Sequence, residues 1–281
     1  MKVIYSSQFR DSSGYASAAR SYLEAVDKVI DQYDIDFKIL SIAVEEVSKI
    51  SRKQEELISK YELPLDEIDE YIKEEYLLIW HQPTGMIMFG DSALAKDSKW
   101  IAFKRLLNNA TRNVNMTVWE SNKIPETWSS IHKKYKTTST IVPCRWNQKT
   151  FSEAGLKSYC LPHVISDNIV DPRPISNFPL DLDNMFTVFS MSQWIHRKGY
   201  DKLIQAFSME FNDIEDAVLV VKTYGNLLWA YTRQISLEQQ VENIRKEASA
   251  FKNSVIVPGE KKSNAQIVIL PYVLPYENIT W

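Results

Sequence analysis

Two groups of residues in this chain have the types and spacing that chemistry needs. In the first, Gly14, His81 and Glu120 each fall at or just past the end of an apolar run. A glycine admits close approach to the backbone, a histidine offers a donor and an acceptor, and a carboxylate accepts hydrogen bonds from hydroxyl groups. In the second, Gln193-Trp194-Ile195-His196-Arg197-Lys198-Gly199 follows an apolar run ending at Met191 and precedes a helical pattern opening at Asp201. Basic side chains beside a helix N-terminus combine positive charge with backbone N–H groups that lack helical partners, which suits a diphosphate. Each residue alone has a plainer reading: a solvated basic turn, a structural histidine, a surface or capping glutamate.

The elements that must carry these residues alternate between strand and helix. Lys2 to Ser6 reads as a buried strand, Ser12-Ser13-Gly14 as a turn and Ala16 to Val29 as a helix. Ile35, Phe37 and Ile39 alternate onto one face of a second strand running to Ile42. The charged stretch 45–75 carries scattered helical periodicity around a break at Pro64. Tyr76 to Trp80 is a continuous apolar run of the kind a parallel strand buried on both faces requires, and His81-Gln82-Pro83 follows it. A helix at Trp100 to Leu107 and strands at Val114 to Trp119 and Ser139 to Val142 complete this half.

Prolines 172, 174 and 179, set among Asp, Asn and Ser, mark residues 166–183 as a linker. The pattern then restarts. Strands are predicted at Met185 to Met191, Ala217 to Thr223, Ser254 to Val257 and Gln266 to Leu270, with helices at Asp201 to Phe211 and Ser236 to Phe251. The alternation implies two α/β domains with parallel sheets, at 1–165 and 184–281, and ligands beyond the carboxyl ends of their strands.

A chain of 281 residues with 44% hydrophobic and 25% charged residues is an ordinary globular composition. The net charge of -3 supplies no field for a nucleic-acid partner. No apolar window approaches the length of a membrane span. The first residues lack the apolar core of a signal peptide. Cys144 and Cys160 make neither a disulfide framework nor a metal set, so a reducing cytoplasm is the simplest setting.

The segment from Phe189 to Phe207 resembles the donor-phosphate loop of glycosyltransferase family 4, a family of retaining enzymes with the GT-B fold. Lys198-Gly199 matches the family's Lys-Gly pair at the helix start, whereas Ser192-Gln193 stands where the family has Gly-Arg. Ser12-Ser13-Gly14-Tyr15-Ala16 resembles the family's glycine-bearing loop, and His81-Gln82-Pro83 resembles its His-Glu-Pro variant. The order Thr117-Val118-Trp119-Glu120, Ile124-Pro125, Trp128, Val142-Pro143-Cys144-Arg145-Trp146 and Leu161-Pro162-His163 is similar to the end of the family's first domain. Trp119, Trp128, Trp146 and Phe151 in this stretch read as core residues or interdomain wedges rather than ligand platforms.

The resemblance implies two Rossmann-like domains, a nucleoside-diphosphate sugar as donor, and no further cofactor or metal. The acceptor would be a hydroxyl of a carbohydrate, lipid or protein. His81 would position the donor sugar, Gly14 would admit the donor to the backbone, and Glu120 would orient donor or acceptor. Arg197, Lys198 and Gly199 would hold the diphosphate, with Gln193 in the place of the usual Arg. Lys222, at a strand end where the family often has a basic residue, reads as donor-binding or as a solvated lysine. The family's paired glutamates and its last elements have no counterpart before Trp281. The second domain is therefore expected to be truncated, with a second copy or a partner chain covering its open edge. The rival expectation is a catalytically incomplete binding or assembly subunit. A different nucleotide-binding enzyme is disfavoured because no GxGxxG or Walker loop occurs.

Overall fold

The structure is a computed structural model and describes residues 1–11, 13–42, 50–165, 182, 184–212, 214, 216–224, 236–255 and 264–270. The chain divides into two compact units, Met1–Arg173 with Thr280–Trp281, and Pro174–Ile279. The division falls inside the proline-bearing stretch 166–183, which lies outside the described residues apart from Leu182.

The first unit is built on a parallel sheet of six strands: β1 (Lys2–Ser7), β2 (Asp36–Ser41), β3 (Tyr76–His81), β4 (Arg112–Met116), β5 (Thr137–Val142) and β6 (Ser158–Cys160). Their spatial order is β2-β1-β3-β4-β5-β6, and each neighbouring pair is parallel. The chain runs from β1 outward to β2 and then returns to add β3 on the other side. The strand order therefore reverses at β1 and β3, and such reversals open a crevice at the carboxyl ends of the strands. There the register sets Ser7 directly beside His81.

Among the described residues seven α-helices accompany these strands: α1 (Gly14–Asp27), α2 (Arg52–Tyr61), α3 (Ile68–Tyr71), α4 (Met86–Ala93), α5 (Ser98–Asn109), α6 (Glu126–Lys134) and α7 (Arg145–Glu153). Several helix starts are fixed by side chains that satisfy orphan N–H groups. Ser13 accepts from the Ala16 amide ahead of α1, and Asp97 accepts from the Trp100 amide ahead of α5. Ser51 and Gln54 form a reciprocal capping box at α2.

Successive strand residues point to opposite faces, so β1 feeds two cores. Ile4 packs with Leu78, Trp80, Trp100, Phe103 and Leu106 on one face. Tyr5 packs with Phe9, Ala19, Tyr22, Leu23 and Ile39 on the other, beneath α1. Fully burying side chains of this size stabilises the fold by about 1.5–3 kcal/mol each.

The second unit has a parallel sheet of β7 (Phe186–Gln193), β8 (Ala217–Tyr224) and β9 (Gln266–Leu270), in that spatial order. Its described helices are α8 (Tyr200–Glu210) and α9 (Leu237–Asn253). Residues 217–221 of the central strand are all buried, Ala217, Leu219 and Val221 in one core and Val218 and Val220 in the other. The strand expected at Ser254 to Val257 is not found in the described part. Ser254 closes α9 with its amide bonded to the Ala250 carbonyl, Val255 is outside any strand, and residues 256–257 lie outside the described ones.

One glycine is dictated by packing. A Cβ on Gly90 in α4 would lie 2.1 Å from Cζ2 of Trp100, itself buried in the core. Gly90→Ala is expected to lower the unfolding free energy by at least about 2 kcal/mol, as overpacked core sites do. At Gly14 an added Cβ meets nothing within 4 Å, and Gly14→Ala should change stability by less than about 1 kcal/mol. Guanidinium unfolding of both variants checks the pair. Equal stabilities would contradict the α4–α5 contact.

Candidate functional site

In the first unit, β3 ends at His81, which is 2% exposed. The Ser7 hydroxyl donates to the His81 carbonyl at 2.8 Å and ties together the two strand ends at the reversal. The imidazole is walled by aromatic rings. Tyr5 stacks on it with centroids 5.9 Å apart, Tyr15 is tilted against it at 5.3 Å, and Tyr22 meets it edge-on at 5.8 Å. Burial, with a smaller push from His163, lowers the His81 pKa to about 3. The ring is therefore neutral near pH 7.

One hydrogen bond decides its tautomer. Tyr5 Oη lies 2.6 Å from His81 Nδ1. Burial pushes the Tyr5 phenol well above its ordinary pKa, so it keeps its proton. Among the described residues its hydroxyl is bonded to no other acceptor. Tyr5 thus donates to Nδ1, and the ring proton resides on Nε2. The site holds an uncharged N–H donor.

Gly14, expected in the turn before a helix beginning at Ala16, is instead the exposed first residue of α1. The helix starts earlier because Ser13 caps it. Glu120, expected at the end of a strand running to Trp119, lies in a loop, because β4 stops at Met116. The side chain is exposed, and its charge is close enough to contribute to the raised pKa of Tyr15, which burial chiefly causes. Tyr15 reaches both neighbours, and the structure thereby brings Gly14, His81 and the Glu120 loop to one end of the sheet.

Among the packing residues, Trp128 and Phe151 are buried together and Trp119 packs against them. Trp146, read as a core residue or an interdomain wedge, lies in the first turn of α7 and is 49% exposed, so it is not part of the core. Tyr5, Tyr15, Tyr22 and Asn147 are the site residues that sequence reasoning passed over. One signal was present: Tyr15 and Tyr22 are seven apart on a helix and so share its face.

In the second unit the basic residues sit on a short 3-10 turn, His196–Lys198, between β7 and α8. Gly199 closes that turn with φ 69° and stands at the start of α8. This left-handed conformation is strained for other residues. Arg197 and Lys198 are exposed, and Gln193 is the half-buried last residue of β7. The turn is pinned from behind. Tyr200 stacks on Trp194 at 4.4 Å and bonds Ser192, whose carbonyl also accepts from Thr223 Oγ1 at 2.8 Å. Asp201, whose pKa is lowered chiefly by a hydrogen bond from the Lys202 backbone and also by the Lys202 side chain, occupies part of the helix N-terminus. Lys222, read as donor-binding or solvated, is buried in β8 at 4% exposure, so solvation is excluded, and burial lowers its pKa. Among the described residues no cluster of three or more His, Cys, Asp or Glu could hold a metal ion. No described helix is long and apolar enough to cross a membrane.

The chain matches no protein-family profile and no curated protein sequence. It is similar to several solved structures. One is a trehalose-6-phosphate synthase, OtsA, at 10% identity and TM-score 0.54, covering 99% of this chain and 75% of that one. An apo structure of OtsA gives 11% identity, TM-score 0.51 and coverage of 99% and 75%. An alpha-glucosyltransferase in complex with UDP and a 13-mer DNA containing an HMU base gives 11% identity, TM-score 0.50 and coverage of 99% and 68%. At such identities the likeness establishes the fold. The chain has a GT-B fold, with parallel α/β sheets of which the second is the smaller.

His132 in α6 is a second buried histidine, its pKa lowered by burial to about 4. Both it and His81 fall below the ordinary imidazole value of about 6.5. The fold favours their neutral forms, so their contribution is complete above pH 6.5. It is lost as the pH falls toward 4 and then 3, by up to about 1.4 kcal/mol per pH unit and per histidine. Unfolding free energies measured between pH 7 and 4 should fall accordingly, and His132→Gln should reduce the slope by about one proton. Equal slopes would contradict the burial of a neutral ring.

Proposed function

We propose that this chain is a glycosyltransferase that takes a sugar from a nucleoside-diphosphate donor and places it on a hydroxyl of a carbohydrate, lipid or protein, with retention of anomeric configuration. The observation that carries the reading is the buried His81, hydrogen-bonded to Tyr5 through Nδ1, at the strand-order reversal of a GT-B sheet. An uncharged N–H donor suits a sugar hydroxyl, since it neither repels a developing oxocarbenium charge nor captures a diphosphate. Two of the structurally similar proteins are named as a synthase of trehalose 6-phosphate and an alpha-glucosyltransferase, the latter seen with UDP. The finer assignment, a retaining hexosyltransferase of family 4 type, rests on the Lys198-Gly199 and His81-Gln82-Pro83 resemblances.

Each residue then has a role. Lys198 and Arg197, with the α8 N-terminus behind Gly199, stabilise charge on the departing diphosphate, an electrostatic contribution that needs no metal. Gln193 donates a hydrogen bond where the family has a charge, and Lys222 supports the donor from β8. Gly14 admits the donor to the start of α1, and Glu120 orients hydroxyl groups. In a reducing cytoplasm Cys144 and Cys160, both free, stay as thiols.

A second reading, a binding or assembly subunit without turnover, draws on Gln193, whose neutral amide weakens the diphosphate grip. Calorimetry with UDP-glucose, GDP-mannose and ADP-glucose, paired with release of free nucleotide, separates the two. Binding with turnover supports the enzyme, and binding without turnover supports the subunit. No binding to any of them would sink both. Lys198→Ala should raise the donor Kd roughly tenfold, as loss of a hydrogen bond to a charged group does. Unchanged affinity removes Lys198 from the site.

A further inference from the structure

Tyr15 stands in the first turn of α1 and contacts both parts of the proposed sugar site. Its ring lies 5.3 Å from the imidazole of His81, at 56°. Its hydroxyl accepts from the Val118 amide at 3.1 Å, and its proton is within reach of Thr117 Oγ1 at 3.2 Å and the Val118 carbonyl at 3.4 Å. Val118 lies beyond the end of β4, where no sheet ladder is available to its amide. The next residue is clasped in the same manner from α7. The buried Asn147 amide accepts from the Trp119 N–H at 3.1 Å and donates to the Trp119 carbonyl at 2.7 Å. Thr117 is held by the Ile141 carbonyl at 2.9 Å. The backbone leading to Glu120 is therefore fixed residue by residue, and two of the three tethers are side chains from helices.

We propose that Tyr15 is a positioning residue that couples the two candidate groups of this site, its hydroxyl fixing the backbone that carries Glu120 while its ring sets the imidazole of His81. This rests on the glycosyltransferase reading. Tyr15→Phe is the discriminating change, because it keeps the ring against His81 and deletes only the hydroxyl's bonds to Val118 and Thr117. A residue that merely filled space would show no preference for Glu120 as the route of its effect.

The test measures nucleotide release from UDP-glucose, GDP-mannose and ADP-glucose by the full chain, for Tyr15→Phe, Glu120→Gln and the double variant. Tyr15→Phe should lower kcat about tenfold and leave the donor KM within about twofold. The double variant should be no slower than Glu120→Gln alone, since residues acting through one another are not additive. Amide exchange at Val118 should accelerate about tenfold in Tyr15→Phe, a readout that needs no turnover. Multiplicative losses in the double variant, or unchanged exchange at Val118, would overturn the role of Tyr15 alone. Absence of turnover in the unmodified chain would sink the functional reading, and the role of Tyr15 with it.

Discussion

The imidazole of His81 is enclosed by three tyrosine rings and kept uncharged, and the carboxyl end of the first sheet is arranged around that constraint. Among the described residues no carboxylate is hydrogen-bonded to His81, and charging an unpaired buried ring is the condition under which burial is most costly. The structure resolves this by presenting Tyr5 as a donor to Nδ1. Ser7 holds the His81 carbonyl, and α1 lays Tyr15 and Tyr22 over the ring. The parallel register between β1 and β3 is what brings Ser7 and Tyr5 beside His81, so the topology and the chemistry of the ring cannot be separated.

The second unit solves the converse problem. Its basic turn must present charge to the solvent while remaining rigid. The left-handed Gly199 sets the turn, and the Trp194–Tyr200 stack with the Ser192 carbonyl fixes it from the core side. Lys222 is buried in the central strand, in an environment that disfavours its charge. A buried imidazole in the first unit and an exposed basic turn in the second are thus held by opposite devices, enclosure in one and a rigid exposed turn in the other.

Much of this was legible in the sequence where local chemistry decides the outcome. The apolar runs of β1, β3, β8 and β9 are long enough to read, and Lys198-Gly199 marked its turn correctly. Element ends were less legible because caps set them, as Ser13 does for α1. Helix α4 escaped because it is short and contains Gly90, whose reason is the distant ring of Trp100. Strand β6 has only three residues and shows no periodicity. The partners of His81 could not be read locally at all: Tyr5 is 76 residues away. The burial of Lys222 likewise follows from neighbours on β7 and β9 rather than from its own segment.

The most direct test of this account follows the ring nitrogens of His81 by 15N NMR from pH 7.5 to 4, with and without UDP-glucose, GDP-mannose and ADP-glucose. The account predicts a neutral ring protonated on Nε2 across the whole range, with the Nε2 resonance shifting when a bound donor is present. A ring that titrates near pH 6.5, carries its proton on Nδ1, or is unmoved by a bound donor would contradict it.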